Sequence, residues 1–567
     1  MFAKGQVTAC ACPHYVINNA LPVQGYYTVV NDYGDGSPAP MCSIVFQLFI
    51  VCIQLDINKS TSGQAIVCAC YQGPGRRWAA FNASTKFGVT IMHGDLLETV
   101  CGCVVGGAGP AGMGLLFNAL KSGAMPELAR EGLIIVDASP TPGTGRLGEY
   151  RITANSVGDV FLDCLRDPAL RDVFEPLEHS PAYWRIRRQA QSAPQLADVA
   201  ELLAQASTLV LNFIVEHYGV KLWTSTTITE VIHDDDEYHV WVEAEGRTRR
   251  IRCRSVVLNL GGRQDPQHLL HSLADQGLAV PAATKVQSAD SLLRMNGVQL
   301  RDVFAPALAS KRRVSVVGGS HSAFSVLENL ADALEFAGLD EVTLVHRSPI
   351  RLFYETAEAA LQAGYAFDPL KDVCPVSGRV NRSGGLRYRA LEVGREALTN
   401  GRIGKTGVRL QMWQTSNGPE GHFEQARQAL AESEVVVQCT GYQPLLPPLN
   451  YRGGGAINLM EVKGGIDSDP SGCPLDSHGQ RLYGLHLFGL GAGLGVDPRL
   501  GSEASFDGRI YGVWQFHHHA SGAVIDAVLA RLQQPVVQPV SLARRLVANR
   551  DEQRQAFIWP VLAGAQS

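Results

Sequence analysis

A chain of 567 residues, 46% hydrophobic and 18% charged, is long enough for two to four domains with cores of their own and too long for a peptide or small module. A formal net charge of −5 over that length offers no field for capturing polyanions, so nucleic acid is not expected as a partner. No basic segment followed by an apolar run opens the chain, which favours a cytoplasmic protein over a secreted one. The stretch from Met41 to Leu55 is the most membrane-like, but Gln47 and Gln54 interrupt it and it is shorter than the roughly 20 residues that cross a bilayer, so no membrane span is expected.

Residues 1–96 differ from the remainder. They contain no glutamate, and no helical or alternating period is sustained. Eight of the 13 cysteines lie in the first 103 residues, without a C-x-x-C and without spaced histidine or carboxylate partners, so no metal site is expected. The segment reads as an atypical extension dispensable for chemistry, with Met92 a candidate start.

From Val100 the pattern sharpens. The strand "CVVGG" runs into "AGPAGMG", followed by a helix of small residues and a second apolar strand, "LIIVDAS". Gly107, Gly109 and Gly112 complete G-x-G-x-x-G between strand and helix, the context that gives this pattern meaning. Gly107 permits the tight turn, Gly109 lets a pyrophosphate approach the backbone, and Gly112 lets helix and strand pack closely. Asp137, at the tip of the second strand, can accept hydrogen bonds from both hydroxyls of an unphosphorylated adenosine ribose. Beyond it, the loop "GTGRLGEYRITANS" makes Arg146, Tyr150 and Asn155 candidate site-lining residues. A helix is expected from about Val199 to Tyr218. A meander follows, with turns at Asp234 to Glu237 and Glu245 to Arg247, and "HDDDE" reads as a solvated hairpin turn rather than a calcium site.

A second unit repeats the first. The strand "RRVSVVGG" leads to Gly318, Gly319, Ser320, His321, Ser322 and Ala323, a turn in which serine replaces the middle glycine. Serine can still approach and donate to a phosphate, although a helix-capping serine without a ligand would read the same way. The next strand ends "LVHRS", so His346 takes the place of Asp137 and Arg347 follows it. A carboxylate would repel a 2′-phosphate, whereas an arginine pairs with it, so the second nucleotide is expected to be NADPH rather than NADH. The unit closes at "SEVVVQCTGYQP". The tail "LHLFGLGAGLGVD" resembles one more strand running into glycines, Gly489, Gly491 and Gly493. His517, His518 and His519 precede a final helix near Ala520 to Leu532 and read as a helix start with one or two exposed rings.

The motifs "GGAGPAG", "VVGGSHSA", "LVHRS" and "CTGYQP" together resemble those of the two-dinucleotide-binding flavoproteins, specifically the NADPH-dependent flavin monooxygenases of the N-hydroxylating (lysine/ornithine monooxygenase-like) group. The resemblance covers roughly Val100 to Leu532, and in it Thr440, Gly441 and Tyr442 are similar to the Thr-Gly-Tyr that closes the NADPH domain. No F-x-G-x-x-x-H-type fingerprint of the animal-type or Baeyer–Villiger branches is present.

What the resemblance implies is an α/β fold of two Rossmann-like dinucleotide-binding domains, the NADPH domain inserted in the FAD domain, with a β-meander. The expected limits are 97–300 for the first FAD part, 301–445 for the NADPH domain and 446–567 for the C-terminal FAD part. It also implies FAD and NADPH as cofactors, oxygen and a small-molecule amine or amino acid as substrates, and hydroxylation through a C4a-hydroperoxyflavin. A homo-oligomer is compatible with this. Two alternatives stay open: an NAD(P)H-dependent flavin oxidoreductase that passes electrons to another acceptor, and a non-catalytic flavin-binding protein whose second turn takes no nucleotide.

Overall fold

The computed structural model describes residues 98–534 except 463–464, 494, 510–511 and 519. The expectations for residues 1–96, including Met41 to Leu55 and Met92, lie outside the described residues, as does His519.

Nineteen short strands form three principal sheets and two small ladders among the described residues. In chain order they are β1 (Glu98–Val100), β2 (Cys103–Gly106), β3 (Leu133–Val136), β4 (Lys221–Trp223), β5 (Thr227–Asp234), β6 (Glu237–Ala244), β7 (Arg247–Cys253), β8 (Ser255–Leu258), β9 (Gly262–Arg263) and β10 (Lys285–Ser288). They continue with β11 (Arg313–Val317), β12 (Glu341–His346), β13 (Arg409–Gln414), β14 (Ser433–Gln438), β15 (Gln443–Pro444), β16 (Leu449–Tyr451), β17 (Glu461–Val462), β18 (Gly465–Ile466) and β19 (Leu485–Leu487).

The first sheet is wholly parallel in the order β19-β8-β2-β3-β4. Its central strands are buried on both faces, which is why they read as unbroken apolar runs rather than alternating ones. Val105, Ile135 and Val257 face a helical layer containing Pro110–Lys121 and Leu196–Tyr218, while Val104, Ile134 and Val256 face the meander sheet β1-β7-β6-β5-β16. Helix Leu196–Tyr218 is long and apolar enough to cross a membrane, but its Val199, Leu203, Val210 and Ile214 are buried in this core. The meander turns fall where they were expected, at Asp235 and at Glu245–Gly246, all with positive φ.

The second sheet repeats the parallel pattern in the order β10-β14-β11-β12-β13. Its edge strand β10, at Lys285–Ser288, precedes the limit expected at 300/301; the stretch "KVQS" has no apolar run to announce a strand. The chain leaves the first sheet through β9 and returns through β15, and these two crossings pair antiparallel, Arg263 with Gln443 and Gly262 with Pro444. Pairing the two connections side by side holds one nucleotide unit as an insertion within the other.

The last helix, Ala520–Gln533, and the turn before it pack onto helix Pro110–Lys121. A Cβ at Gly114 would lie 2.6 Å from the carbonyl oxygen of Phe516, so only glycine allows this approach. His517 is buried there, with Nε2 3.0 Å from the Pro110 carbonyl oxygen and its ring edge-on to Phe117. Of the three histidines expected to start a helix with one or two exposed rings, His517 is a core group, because close helix packing leaves no water at this position. His518 pairs with Asp163 at 3.3 Å.

Candidate functional site

Each parallel sheet presents the same construction at the C-terminal end of its central strands. In the first, Gly107 takes φ +86 and donates its N–H to the Val136 carbonyl at 2.7 Å, closing the turn onto β3. A Cβ there would sit 2.4 Å from the carbonyl oxygen of Asn259. At Gly112 it would sit 2.1 Å from the carbonyl oxygen of Gly107. These two glycines serve the fold itself. Gly109 is different: a Cβ would find only the Gly145 backbone, at 3.6 Å, so the protein leaves open the face where a phosphate would lie. Replacing Gly112 with alanine is expected to destabilise the protein by about 3 kcal/mol or more, since overpacking against rigid backbone has no side chain to absorb it. An unchanged denaturant midpoint would contradict this.

Asp137 stands where the sequence placed it, at the tip of β3. Its two oxygens accept the backbone N–H groups of Ala108 at 2.6 Å and Ser139 at 2.7 Å. The carboxylate thereby orients the glycine turn, while the second lone pair on each oxygen is available to ribose hydroxyls. Gly489, φ +106, brings the chain after β19 against this turn: its Cβ would meet that of Ala111 at 2.9 Å. Gly491, φ +92, packs in the same way on Pro444 of β15.

The second turn is built alike. Gly318 takes φ +137, donates to the Val345 carbonyl at 2.9 Å, and a Cβ would lie 2.3 Å from the carbonyl oxygen of Cys439. Ser320 occupies the N-cap of helix His321–Leu334, yet its side chain makes no capping bond. The capping alternative is thus not realised, and Ser320 joins Ser322 beside the open helix end. At the tip of β12, the His346 ring is buried with Nδ1 2.8 Å from the Ser348 carbonyl oxygen, leaving Arg347 as the exposed cation.

His321 begins this helix half-buried, and its Nε2 accepts the backbone N–H of Arg387 at 3.0 Å. Burial, reinforced by the nearby Arg387 charge, pulls its pKa down to about 4, and burial pulls that of His517 down to about 3. Both rings are neutral when folded, whereas an unfolded histidine takes its proton near 6.5, so stability falls as pH drops through that value toward the folded pKa. Acidification from pH 7.5 to 5 is expected to cost on the order of 2 kcal/mol per ring. Urea midpoints at the two pH values measure it, and equal midpoints would contradict it.

Between the two turns lies a polar seam that sequence reading found only in part. Tyr150 donates to Asp290, which also pairs with Arg146 at 3.5 Å and Arg294 at 3.0 Å; Arg294 reaches Glu149 at 2.7 Å. Tyr442 lies beside Tyr150, and burial pushes its pKa up to about 12, so it stays a neutral phenol. Gln264 donates from Nε2 to the Gly441 carbonyl at 3.2 Å and accepts from the Asp290 N–H at 2.8 Å, tying the crossing strands to the seam. The structure brings Arg146, Tyr150, Gly441 and Tyr442 together, and leaves Asn155 exposed and Thr440 exposed at the rim. Asp290, Arg294 and Gln264 were missed because isolated polar residues in loops and short helices carry no periodic signal.

No family model matches the chain. It is 31% identical over 439 residues to the CMP-5′-(3-aminopropyl)phosphonate hydroxylase of Streptomyces rubellomurinus, covering 75% of this chain and 97% of that protein. The chain belongs to that hydroxylase's family. Its two dinucleotide-type turns carry opposite charge at their strand tips, Asp137 in the first and Arg347 in the second. Solved structures with looser overlap include an ornithine N-hydroxylase of Kutzneria sp. 744 (14% identity, TM-score 0.43, 76% of this chain and 99% of that one). Another is a cadaverine monooxygenase of Erwinia amylovora (12% identity, TM-score 0.45, 82% and 100%).

The residues of the two turns fit the two dinucleotides expected from the sequence, FAD and NADPH. Gly107, Gly109, Gly112 and Asp137 would hold FAD, with Gly489 and Gly491 beside it, and Asn259 presents a buried carboxamide with neither polar atom paired. Gly318, Ser320, Ser322 and Arg347 would hold NADPH.

Proposed function

We propose that this chain is an FAD- and NADPH-dependent monooxygenase that N-hydroxylates the primary amine of a small anionic substrate, an aminoalkylphosphonate either free or as its CMP conjugate. The relative's named substrate is an amine of that kind, and the observation that carries the reading is the charge of the seam. Arg146, Arg151 and Arg294 gather there against two carboxylates, Glu149 and Asp290: Arg151 Nε donates to the Arg294 carbonyl at 3.3 Å, and both acids are already held in ion pairs. A phosphonate would find complementary charge, and no unpaired carboxylate among these residues would compete for it.

FAD, once bound and reduced by NADPH, supplies the oxygen-activating chemistry. This chain's own part is geometric. The glycine turns would hold the two nucleotides. Asp290 holds Tyr150 beside Tyr442, while the paired crossings β9 and β15 keep the two units in register. The site residues of the two turns, and a second nucleotide unit beginning near Lys285, belong to the same proposal.

The test is turnover of purified protein with NADPH, oxygen and 3-aminopropylphosphonate or its CMP conjugate, with ornithine and cadaverine as amine comparators that lack a phosphonate. Hydroxylamine formed in step with NADPH oxidation, and faster with the phosphonates, is the expected result. Peroxide released in equal amount to NADPH consumed, whatever amine is present, would overturn it.

A further inference from the structure

The first turn contains a buried polar group that the fold does not use. Asn259 follows β8 and is 6% exposed. Its main chain is clasped to the turn: its N–H donates to the Gly106 carbonyl at 2.7 Å, and its own carbonyl lies against Gly107. Its carboxamide lies beneath the start of helix Pro110–Lys121, with Nδ2 3.5 Å from the position a Gly112 Cβ would take. Neither Nδ2 nor Oδ1 has a partner. A buried unpaired amide is costly, and a fold with no use for it would do better with an apolar residue.

The second turn shows what the amide is for. There the equivalent residue is Cys439, whose N–H donates to the Val317 carbonyl at 2.8 Å and whose carbonyl lies against Gly318. A buried thiol stands where the first turn has an amide. The two helix starts differ in a matching way. The first helical residue of the second turn is His321, which has a backbone N–H; in the first turn it is Pro110, which has none. A helix N-terminus binds an anion through these free N–H groups, and proline removes one of them.

We propose that Asn259 is a flavin-positioning residue: its Nδ2 donates a hydrogen bond to the FAD pyrophosphate, supplying the donor that Pro110 lacks. This rests on the assignment of FAD to the first turn. Proline pre-sets the helical φ at the cost of a donor, and the strand-end amide restores the donor count. The amide is unpaired only until the cofactor arrives.

The experiment titrates FAD into flavin-depleted full-length protein by fluorescence quenching and records the melting temperature of the same flavin-free samples. Asn259→Ala is expected to bind FAD about tenfold to a hundredfold more weakly, the effect of losing a hydrogen bond to a charged group. Its flavin-free melting temperature should be unchanged or higher, because an unsatisfied amide has been removed. Asn259→Asp keeps the shape and should bind more weakly still, with a carboxylate set against phosphate. Wild-type affinity in Asn259→Ala would overturn the proposal and assign the amide to a buried water. Weaker binding accompanied by a lower flavin-free melting temperature would overturn it in favour of a structural role. A wild-type protein that takes up no flavin would instead defeat the underlying FAD assignment.

Discussion

Replacing Gly109 with valine is expected to give a folded, colourless protein. The position has φ −72 and ψ −169, which any residue adopts, and a Cβ there would meet nothing closer than the Gly145 backbone at 3.6 Å. The flavin-free protein therefore accommodates the larger side chain, and its melting temperature should stay within the change typical of a surface substitution, roughly 0.5 kcal/mol. The pyrophosphate does not accommodate it, because the middle glycine is where a dinucleotide comes closest to the main chain. FAD affinity should fall at least about a hundredfold, equivalent to about 2.7 kcal/mol. Absorbance of the purified protein near the flavin bands and a fluorescence titration both measure it. A yellow Gly109→Val protein would place the flavin elsewhere. The contrast with Gly112→Ala matters, since that substitution acts through stability and this one through the ligand.

The second large effect belongs to Arg347. Its guanidinium is exposed at the tip of β12, beside the buried His346 ring that fills the position of Asp137. Replacing Arg347 with alanine is expected to weaken NADPH about tenfold to a hundredfold, the loss of a charge-assisted hydrogen bond, while leaving NADH unaffected. Initial rates of flavin reduction against the concentration of each nucleotide separate the two. An equal loss with both would mean that Arg347 acts through the fold or on a phosphate common to both nucleotides. No loss with either would remove the reason for choosing NADPH from this residue.

Both effects come from residues visible in the sequence, and the reason is physical. A dinucleotide turn is local: strand, glycines, helix and strand tip lie within about thirty residues, and each needs a particular residue type for its backbone shape or charge. Gly107, Gly112, Asp137, Gly318 and Arg347 could therefore be read before any coordinates. The parallel strands were legible because burial on both faces makes them continuous apolar runs. The meander turns were legible because positive φ at the tips selects few residue types.

Where the sequence misled or said nothing, the contacts were distant along the chain. His517 looked like part of a polar run before a helix, and only the approach of Gly114, some four hundred residues earlier, buries it. Strand β10 takes its place from β14, about 150 residues later, rather than from its own four polar-rich residues. The seam joins Tyr150, Gln264, Asp290 and Tyr442 from four separate stretches, and no local pattern says that these four meet. Asn259 carried no signal alone, because an asparagine after a strand is ordinary; its meaning appears only when its amide is seen to be buried, unpaired and beneath a helix that begins with proline. The sequence by itself thus determined two nucleotide turns and the sign of charge at each tip, since backbone geometry and local charge are set within a short stretch of chain. Tertiary structure alone decided which distant polar side chains meet between them, because that depends on how the whole chain closes and which groups lose their water when it does.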